Sequence, residues 1–157
     1  MPAAGHPRLD VGRIDPNAQQ AVFAMERYVR SSGLDSRLYE LVKIRASQLN
    51  GCAFCLDIHN RDARAGGEDQ RRLDVLSARR EAPARFTAPE QAAPAFTEAV
   101  TRIGDAGVPD RVWDDVAAHF DEAGIVHLLM AIATINVWNR LAVATHQQLP
   151  DLTTTLE

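Results

Sequence analysis

The residues of this sequence best suited to chemistry are its only two cysteines, Cys52 and Cys55, together with His59. Their spacing of i, i+3 and i+7 puts all three on one face of any helix that begins there, because successive helical residues are about 100° apart. Asn50-Gly51, just upstream, is a break signal, so we expect Cys52 at or near the N-terminus of that helix. Unpaired N–H groups and the positive end of the helix dipole favour a thiolate at this position.

Four kinds of site could use this pattern. A c-type haem site requires a histidine directly after the second cysteine, where this chain has Leu56. A structural zinc site requires four ligands, and the sequence offers no second CxxC and no spaced histidine pair. Two inert, buried cysteines beside a hydrogen-bonded histidine form a purely structural alternative. A reversible dithiol/disulfide centre best explains a cysteine pair that shares its helix face with a histidine.

A redox role defines a mechanism for the pair. His59, one turn beyond Cys55, can accept the thiol proton or stabilise the thiolate. The thiolate could attack a peroxide O–O bond and form a sulfenic acid, which condenses with the other cysteine and releases water. Glu40 has two interpretations: it orients His59 as the third member of a triad, or it is a solvated residue paired with Lys43 one turn on. Such a centre needs no metal and no bound organic cofactor.

Length and composition place this centre in an ordinary globular protein. The 157 residues, 46% hydrophobic and 24% charged, predict one domain, 1–157, with an N-terminal arm over 1–13 and a frayed tail over 150–157. The arm is expected to be ordered only against a partner subunit. A net charge of −4 argues against nucleic acid or an anionic membrane as a partner. The N-terminus lacks the apolar segment of a secretory signal, so we expect a cytoplasmic protein.

The hydrophobic periodicity predicts an all-α fold. Asp15-Pro16 starts a helix, and Ser36 could cap the next. The arginine-rich segment around 70–79 is predicted to be a solvated helix, and residues 81–94, with three prolines, a hinge before a capping box at Thr87 and Glu90. The most apolar helix is predicted over 122–147; polar residues interrupt it, so it should lie in the core and partly in a subunit interface rather than in a membrane.

The run YELVKIRASQLNGCAFCLDIHNRDAR resembles the signature of the AhpD-like alkylhydroperoxidases of the carboxymuconolactone decarboxylase superfamily. The pattern of Glu, eleven residues, Cys, two, Cys, three, His is met by Glu40, Cys52, Cys55 and His59. The later run HLLMAIATINVWNRLA is similar to the closing helix of that family, including Asn136, Trp138, Asn139 and Arg140.

The resemblance implies an all-helical protein that forms homo-trimers or homo-hexamers and reduces hydrogen peroxide or alkyl hydroperoxides as an antioxidant peroxidase. It implies that Cys55 is the thiol activated through His59 and Glu40, with Cys52 as its more exposed disulfide partner. It also implies an external thiol reductant, which in some members is a lipoyl-protein system. One branch of the family has a histidine where this chain has Phe54. The decarboxylase branch lacks the cysteine pair.

Two alternative functions are compatible with the same residues. One is a thiol–disulfide exchange protein that reduces another protein. The other is a non-catalytic helical oligomer that senses oxidants or binds a small apolar ligand. His119, His127 and His146 are given no role, and His127 is expected to be a hydrogen-bonded core residue. The Asn136, Asn139 and Arg140 set is expected to form a buried polar network or a subunit contact.

Overall fold

The computed structural model describes residues 5–150, and every regular element within that range is helical. The helices are α1 (Val11–Ile14), α2 (Pro16–Ser31), α3 (Ser36–Asn50), α4 (Ala53–Ala65), α5 (Gln70–Val75), α6 (Ala88–Thr101), α7 (Asp110–His119) and α8 (Glu122–Thr145). Two 3₁₀ segments, Leu76–Glu81 and Pro83–Arg85, join α5 to α6. The prediction of an all-α fold is therefore confirmed.

Side-chain caps fix where the main helices begin. The Asp15 carboxylate accepts a hydrogen bond from the N–H of Ala18, and Pro16 is the first helical residue of α2. The capping box of α6 is present, with Thr87 and Glu90 each accepting a hydrogen bond from the other's backbone. The prediction for α3 was wrong by one residue, because Asp35 rather than Ser36 supplies the cap.

Helix α8 is the core helix of the bundle. It packs against α2, α3 and α6, and buries residues along its whole length, including Leu128, Ile132 and Ile135. By length and apolar composition alone α8 could also span a membrane. It packs, however, against α2, α3, α4, α6 and α7, as is typical of a core helix that is apolar on nearly all sides.

A polar network joins α8 to the end of α3. Asn50 donates hydrogen bonds to the side-chain oxygens of Asn136 and Asn139, both at 2.9 Å. Asn139 in turn donates to the Ser47 hydroxyl at 3.0 Å, and Arg140 donates to Asn136 at 2.6 Å. The expected polar network is present, with Asn139 and Ser47 fully buried and Arg140 at its exposed end. Its Asn50 directly precedes the turn that leads to the cysteines.

The arginine-rich segment is only partly the solvated surface that the sequence predicted: Arg71 is exposed, but two other arginines are engaged in ion pairs. Arg79 is only 2% exposed and bonds to Glu98, a carboxylate that also binds Arg45 at 2.8 Å and Arg80 at 2.9 Å. Arg72 bridges two glutamates on other segments. The predicted hinge over 81–94 is instead a 3₁₀ turn, Pro83–Arg85, followed by the first half of α6, and Arg72 bonds to Glu90 within it.

The structure describes most of the predicted N-terminal arm but almost none of the predicted C-terminal tail. The arm over 1–13 ends inside a short helix, and Arg8 donates hydrogen bonds to the carbonyls of Ala144 and Thr145 at the end of α8. The described part of the arm therefore packs on its own chain, contrary to the expectation that it needs a partner subunit. The predicted tail over 150–157 lies, apart from Pro150, outside the described residues.

We expect Glu98→Gln to lower the free energy of unfolding by about 3 kcal/mol at neutral pH, because it leaves the buried Arg79 guanidinium without its counter-ion. Burial raises the pKa of Glu98, but hydrogen bonds from Arg79 and Arg45 outweigh it and hold the pKa below the ordinary 4.5. The stabilisation is therefore present above about pH 4.5 and is lost as the pH falls through the lower, folded-state pKa.

Urea unfolding of the wild type and of the Glu98→Gln variant, at pH values above and below about 4.5, measures this difference in the free energy of unfolding. The control is Arg80→Ala, which removes a 72% exposed partner of the same carboxylate and should cost less than about 1 kcal/mol. Equal destabilisation by the two variants would contradict the argument.

Candidate functional site

The turn between α3 and α4 places the first cysteine. Gly51 ends α3 with a φ of 64°, in the left-handed region where glycine is not strained. The Cys52 N–H then donates to the Ser47 carbonyl at 3.0 Å. Cys52 is the N-cap residue of α4, and its Sγ accepts a hydrogen bond from the Cys55 N–H at 3.3 Å. The expected position of Cys52 at a helix N-terminus is confirmed.

Cys52 and Cys55 form a disulfide within the first turn of α4, with Cα atoms 5.4 Å apart. Both residues are buried, Cys52 to 1% exposure and Cys55 to 4%. They pack with Ala46, Ile135 and Ala142 of the neighbouring helices. Cys52 is thus not the more exposed of the two in the single chain, in contrast to what the family resemblance implied.

Glu40 and His59 meet across the α3–α4 hairpin. The Nδ1 atom of His59 lies 3.2 Å from the Glu40 Oε2, and each side chain is 12% exposed. A carboxylate on Nδ1 fixes the ring orientation and leaves Nε2 as the free nitrogen. The surface interpretation, in which Glu40 pairs with Lys43, is wrong, because the Lys43 ammonium binds Glu26 at 2.6 Å instead.

Glu26, Tyr39 and Lys43 form a buried polar cluster behind the site. Tyr39 and Lys43 both donate to the Oε1 of Glu26, while its buried Oε2 has no partner among the described residues. Burial raises the pKa of Glu26, but the Lys43 ammonium outweighs this and lowers it overall. Burial lowers the pKa of Lys43 against the opposing pull of Glu26. Burial and the hydrogen bond to Glu26 raise the pKa of Tyr39.

This cluster and Asp62 were missed by sequence reasoning. Glu26 lies among the apolar residues Val22, Met25 and Val29 of α2, and a charged residue inside an apolar stripe is the signal that could have found it. Asp62 is one turn beyond His59 on α4. Ligand atoms of Glu40, His59 and Asp62 all lie within 4.8 Å of one another, so this set could also hold a divalent cation.

Two cavities flank the disulfide. We call the first the Cys55 cavity: it has a volume of about 440 Å³ and is lined by Cys55, His59 and Asp62 of α4 together with parts of α2 and α8. The second, the Cys52 cavity, has a volume of about 410 Å³ and is lined by Cys52 and the C-terminal end of α8. Phe54, the residue between the cysteines, borders both cavities. The structure thus brings Cys55 and His59 to one space.

The remaining histidines lie away from the Cys55 cavity. His119 is bonded to its own helix, 2.9 Å from the Asp115 carbonyl. His127 is half-buried with its ring edge against Tyr28, rather than hydrogen-bonded in the core as the sequence suggested. His146 caps α8 and lines the Cys52 cavity.

An all-helical bundle with a cysteine pair at a helix N-terminus and a Glu–His pair beside it defines the class of protein. Residues 16–99 match the model of the carboxymuconolactone decarboxylase family. The match includes all four candidate site residues, Glu40, Cys52, Cys55 and His59. The chain belongs to this family and is an AhpD-like member of its superfamily.

Relatives with known sequences or structures agree with this assignment. The uncharacterised protein YdfG of Bacillus subtilis is 40% identical over 138 residues, which cover 87% of this chain and 92% of that protein. A crystal structure of a protein of unknown function from Agrobacterium tumefaciens, described as a candidate antioxidant defence protein AhpD, is 41% identical with a TM-score of 0.89, covering 92% of this chain and 99% of that one.

More distant structures share the fold. A peroxidase-related protein from Silicibacter has a TM-score of 0.74 at 23% identity, covering 86% of this chain and 72% of its own. The debrominase Bmp8 has a TM-score of 0.78 at 17% identity, covering 88% of this chain and 74% of its own. At these identities the likeness concerns the helical architecture alone.

Proposed function

We propose that this protein is a thiol-dependent peroxidase that reduces hydrogen peroxide or alkyl hydroperoxides through a Cys52–Cys55 dithiol/disulfide cycle. The observation that carries the proposal is that Cys55 and His59 line one cavity, while His59 is held by Glu40 at 3.2 Å. A nucleophile, a base and a residue that orients the base are the parts that activated-thiol chemistry requires. Membership of the same family as a candidate antioxidant protein supports it.

In the proposed cycle His59, oriented by Glu40, accepts the proton of the Cys55 thiol. The thiolate attacks the terminal oxygen of the hydroperoxide, the O–O bond breaks, and the alkoxide leaves as the alcohol after it takes a proton from His59. Cys55 is then a sulfenic acid, and the Cys52 sulfur displaces its hydroxyl as water to form the disulfide. Negative charge on Cys52 during this step is favoured by the hydrogen bond from the Cys55 N–H to the Cys52 Sγ and by the positive end of the α4 dipole.

The disulfide must be reset by an external dithiol, and we propose a thiol reductant such as a lipoyl-protein system. The first reductant thiol breaks the Cys52–Cys55 bond and forms a mixed disulfide with one cysteine. The second reductant thiol then displaces that cysteine, so the reductant becomes a disulfide and the pair gains two electrons in all. The Cys52 cavity supplies a route to the first sulfur that does not pass through the Cys55 cavity. A cytoplasmic location, where such reductants are kept reduced, belongs to the same proposal.

Direct thiol–disulfide exchange with a folded partner protein is less well supported. Such exchange requires a cysteine fixed in the surface of a folded partner to reach one sulfur, and both cysteines are at most 4% exposed. The cavities beside them, of about 410 and 440 Å³, have the size of a small dithiol rather than of a protein surface. A non-catalytic ligand-binding or oxidant-sensing protein would need the cavities but not the Glu40–His59 pair. These two alternatives are separated from the peroxidase by the cysteine variants below.

We also propose that the chain assembles as a homo-trimer or homo-hexamer through α8. One face of this helix carries a row of apolar residues at helical spacing that are exposed or half-exposed in the single chain: Val126, Met130, Ala133, Val137 and Ala144. Val126 alone is 49% exposed. Contiguous apolar surface of this kind is typical of subunit interfaces.

The cysteine chemistry predicts a result by mass spectrometry. One equivalent of cumene hydroperoxide should remove two hydrogens from the reduced protein by closing the Cys52–Cys55 disulfide. Cys52→Ser should stop at a sulfenic acid that dimedone traps, because the second sulfur is absent. Cys55→Ser should leave the peroxide unconsumed. If both serine variants consume peroxide at the wild-type rate, the peroxidase function is wrong.

The Glu40–His59 contact predicts a rate effect without a loss of fold. Glu40→Gln should slow peroxide consumption about 100-fold, because the amide orients the ring but does not stabilise its protonated form. Stopped-flow measurement with cumene hydroperoxide gives the rate, and circular dichroism reports the fold. The matched control is Glu81→Gln at an exposed position, which should keep the wild-type rate. Equal rates for both variants would leave Glu40 without a part in the reaction.

The apolar row on α8 predicts that Val126→Glu breaks the assembly into smaller species, since a buried, unpaired carboxylate is costly in an interface. Sedimentation velocity measures the mass of each form. Ile103→Glu is the control, because Ile103 is 64% exposed but lies outside α8. A monomeric wild-type protein, or assembly that persists in the Val126 variant, would argue against this interface.

A further inference from the structure

The Cys55 cavity has an apolar half and a charged half. Along both helices that line it, the apolar residues precede the charged ones. On α2 Phe23 comes before Glu26, Arg27 and Arg30; on α4 Phe54, Cys55 and Ile58 come before His59 and Asp62. Trp138 and Ala142 of α8 complete the apolar half, and the Trp138 ring lies 5.0 Å from that of Phe23. The reactive sulfur therefore lies in the apolar half, with charged groups one to two helical turns further along.

The charges of the two walls are not equivalent. On α4, Asp62 lies beside His59 and Glu40. On α2, the Glu26 carboxylate is already neutralised by the Lys43 ammonium at 2.6 Å, and the Arg30 Nε lies 3.3 Å from the same carboxylate oxygen. This leaves the α2 wall with a surplus of positive charge, carried by Arg27 and Arg30.

Both arginines have guanidinium N–H donors that are not used in hydrogen bonds within the described residues. Arg27 makes no ion pair or side-chain hydrogen bond within the part of the chain that the structure describes. Arg30 uses only its Nε for hydrogen bonding; its guanidinium lies 5.7 Å from the centre of the Tyr39 ring, and its side chain is 56% exposed. Their i, i+3 spacing sets them side by side on the face of α2 that lines the cavity. Paired guanidinium groups at the edge of an apolar cavity suit a carboxylate, which accepts two hydrogen bonds from each planar fork.

We propose that the substrate is the hydroperoxide of an amphipathic carboxylic acid, of the fatty-acid class, with its carboxylate on Arg27 and Arg30. The inference rests on the proposed peroxidase function. The alkyl chain lies against Phe23 and Trp138, and the hydroperoxide group reaches the Cys55 sulfur between the two ends. Sulfur attack breaks the O–O bond and gives the hydroxy acid and a Cys55 sulfenic acid; Cys52 then releases water from it, and the external dithiol supplies the two electrons that reset the pair.

The test compares three peroxides in each protein: linoleic acid hydroperoxide, its uncharged methyl ester and cumene hydroperoxide. The measured quantity is the ratio of kcat/KM for the acid to that for the ester. We expect wild type to prefer the acid and the Arg27→Gln/Arg30→Gln variant to lose at least about tenfold of that preference, because the loss of even one charged hydrogen-bonded pair has about this effect. Arg27→Lys/Arg30→Lys, which keeps the charge, should retain most of it.

Arg111→Gln, an exposed arginine on α7, is the control and should keep the wild-type ratio. Equal use of acid and ester by the wild type would overturn the inference while leaving the peroxidase function standing. If wild type reduces none of the three peroxides, the peroxidase function fails. Quenching of tryptophan fluorescence by decanoate then tests the carboxylate site alone, and equal binding to wild type and to the double glutamine variant would overturn it.

Discussion

The site depends on the hairpin of α3 and α4 and on the turn that joins them. Gly51 takes a left-handed conformation, the chain reverses, and the Cys52 N–H closes the turn on Ser47. The reversal sets Glu40 on one helix against His59 on the other. Asn50 binds the same turn to α8 through hydrogen bonds to Asn136 and Asn139. The position of the cysteines is therefore fixed relative to the core helix. Backbone geometry and neutral hydrogen bonds thus position the cysteine pair, and the Glu40 carboxylate holds His59 beside it.

Local signals made most of the fold and the cysteine turn predictable. The Asp15-Pro16 start, the capping box at Thr87 and the Gly51 break are read within four residues of sequence, and each marks a helix end in the structure. Cys52 and Cys55 share one turn for the same reason. The pairing of Glu40 with His59 joins residues 19 apart, so it needed the family pattern rather than helical periodicity.

The errors in charge pairing concern buried charges whose partners are distant in sequence. Lys43 and Glu26 are 17 residues apart, and Arg79 and Glu98 are 19 apart. Rules for a single helix consider neighbours three or four residues away, so they paired Lys43 with Glu40 and left Arg79 in solvent. A charged side chain is buried in a core only with a counter-ion. Both partners are present in the sequence, but their contact depends on how distant helices pack.

Phe54 stands between the two cavities, and this arrangement has a kinetic consequence. Because Cys55 borders one space and Cys52 the other, a molecule held in either cavity leaves the opposite face of the disulfide open. The oxidant and the reductant would then reach the disulfide through different cavities and would not compete for one binding site. In an enzyme with two such cavities, an excess of one co-substrate does not inhibit binding of the other. In an enzyme with a single entrance, the two co-substrates compete for the same site.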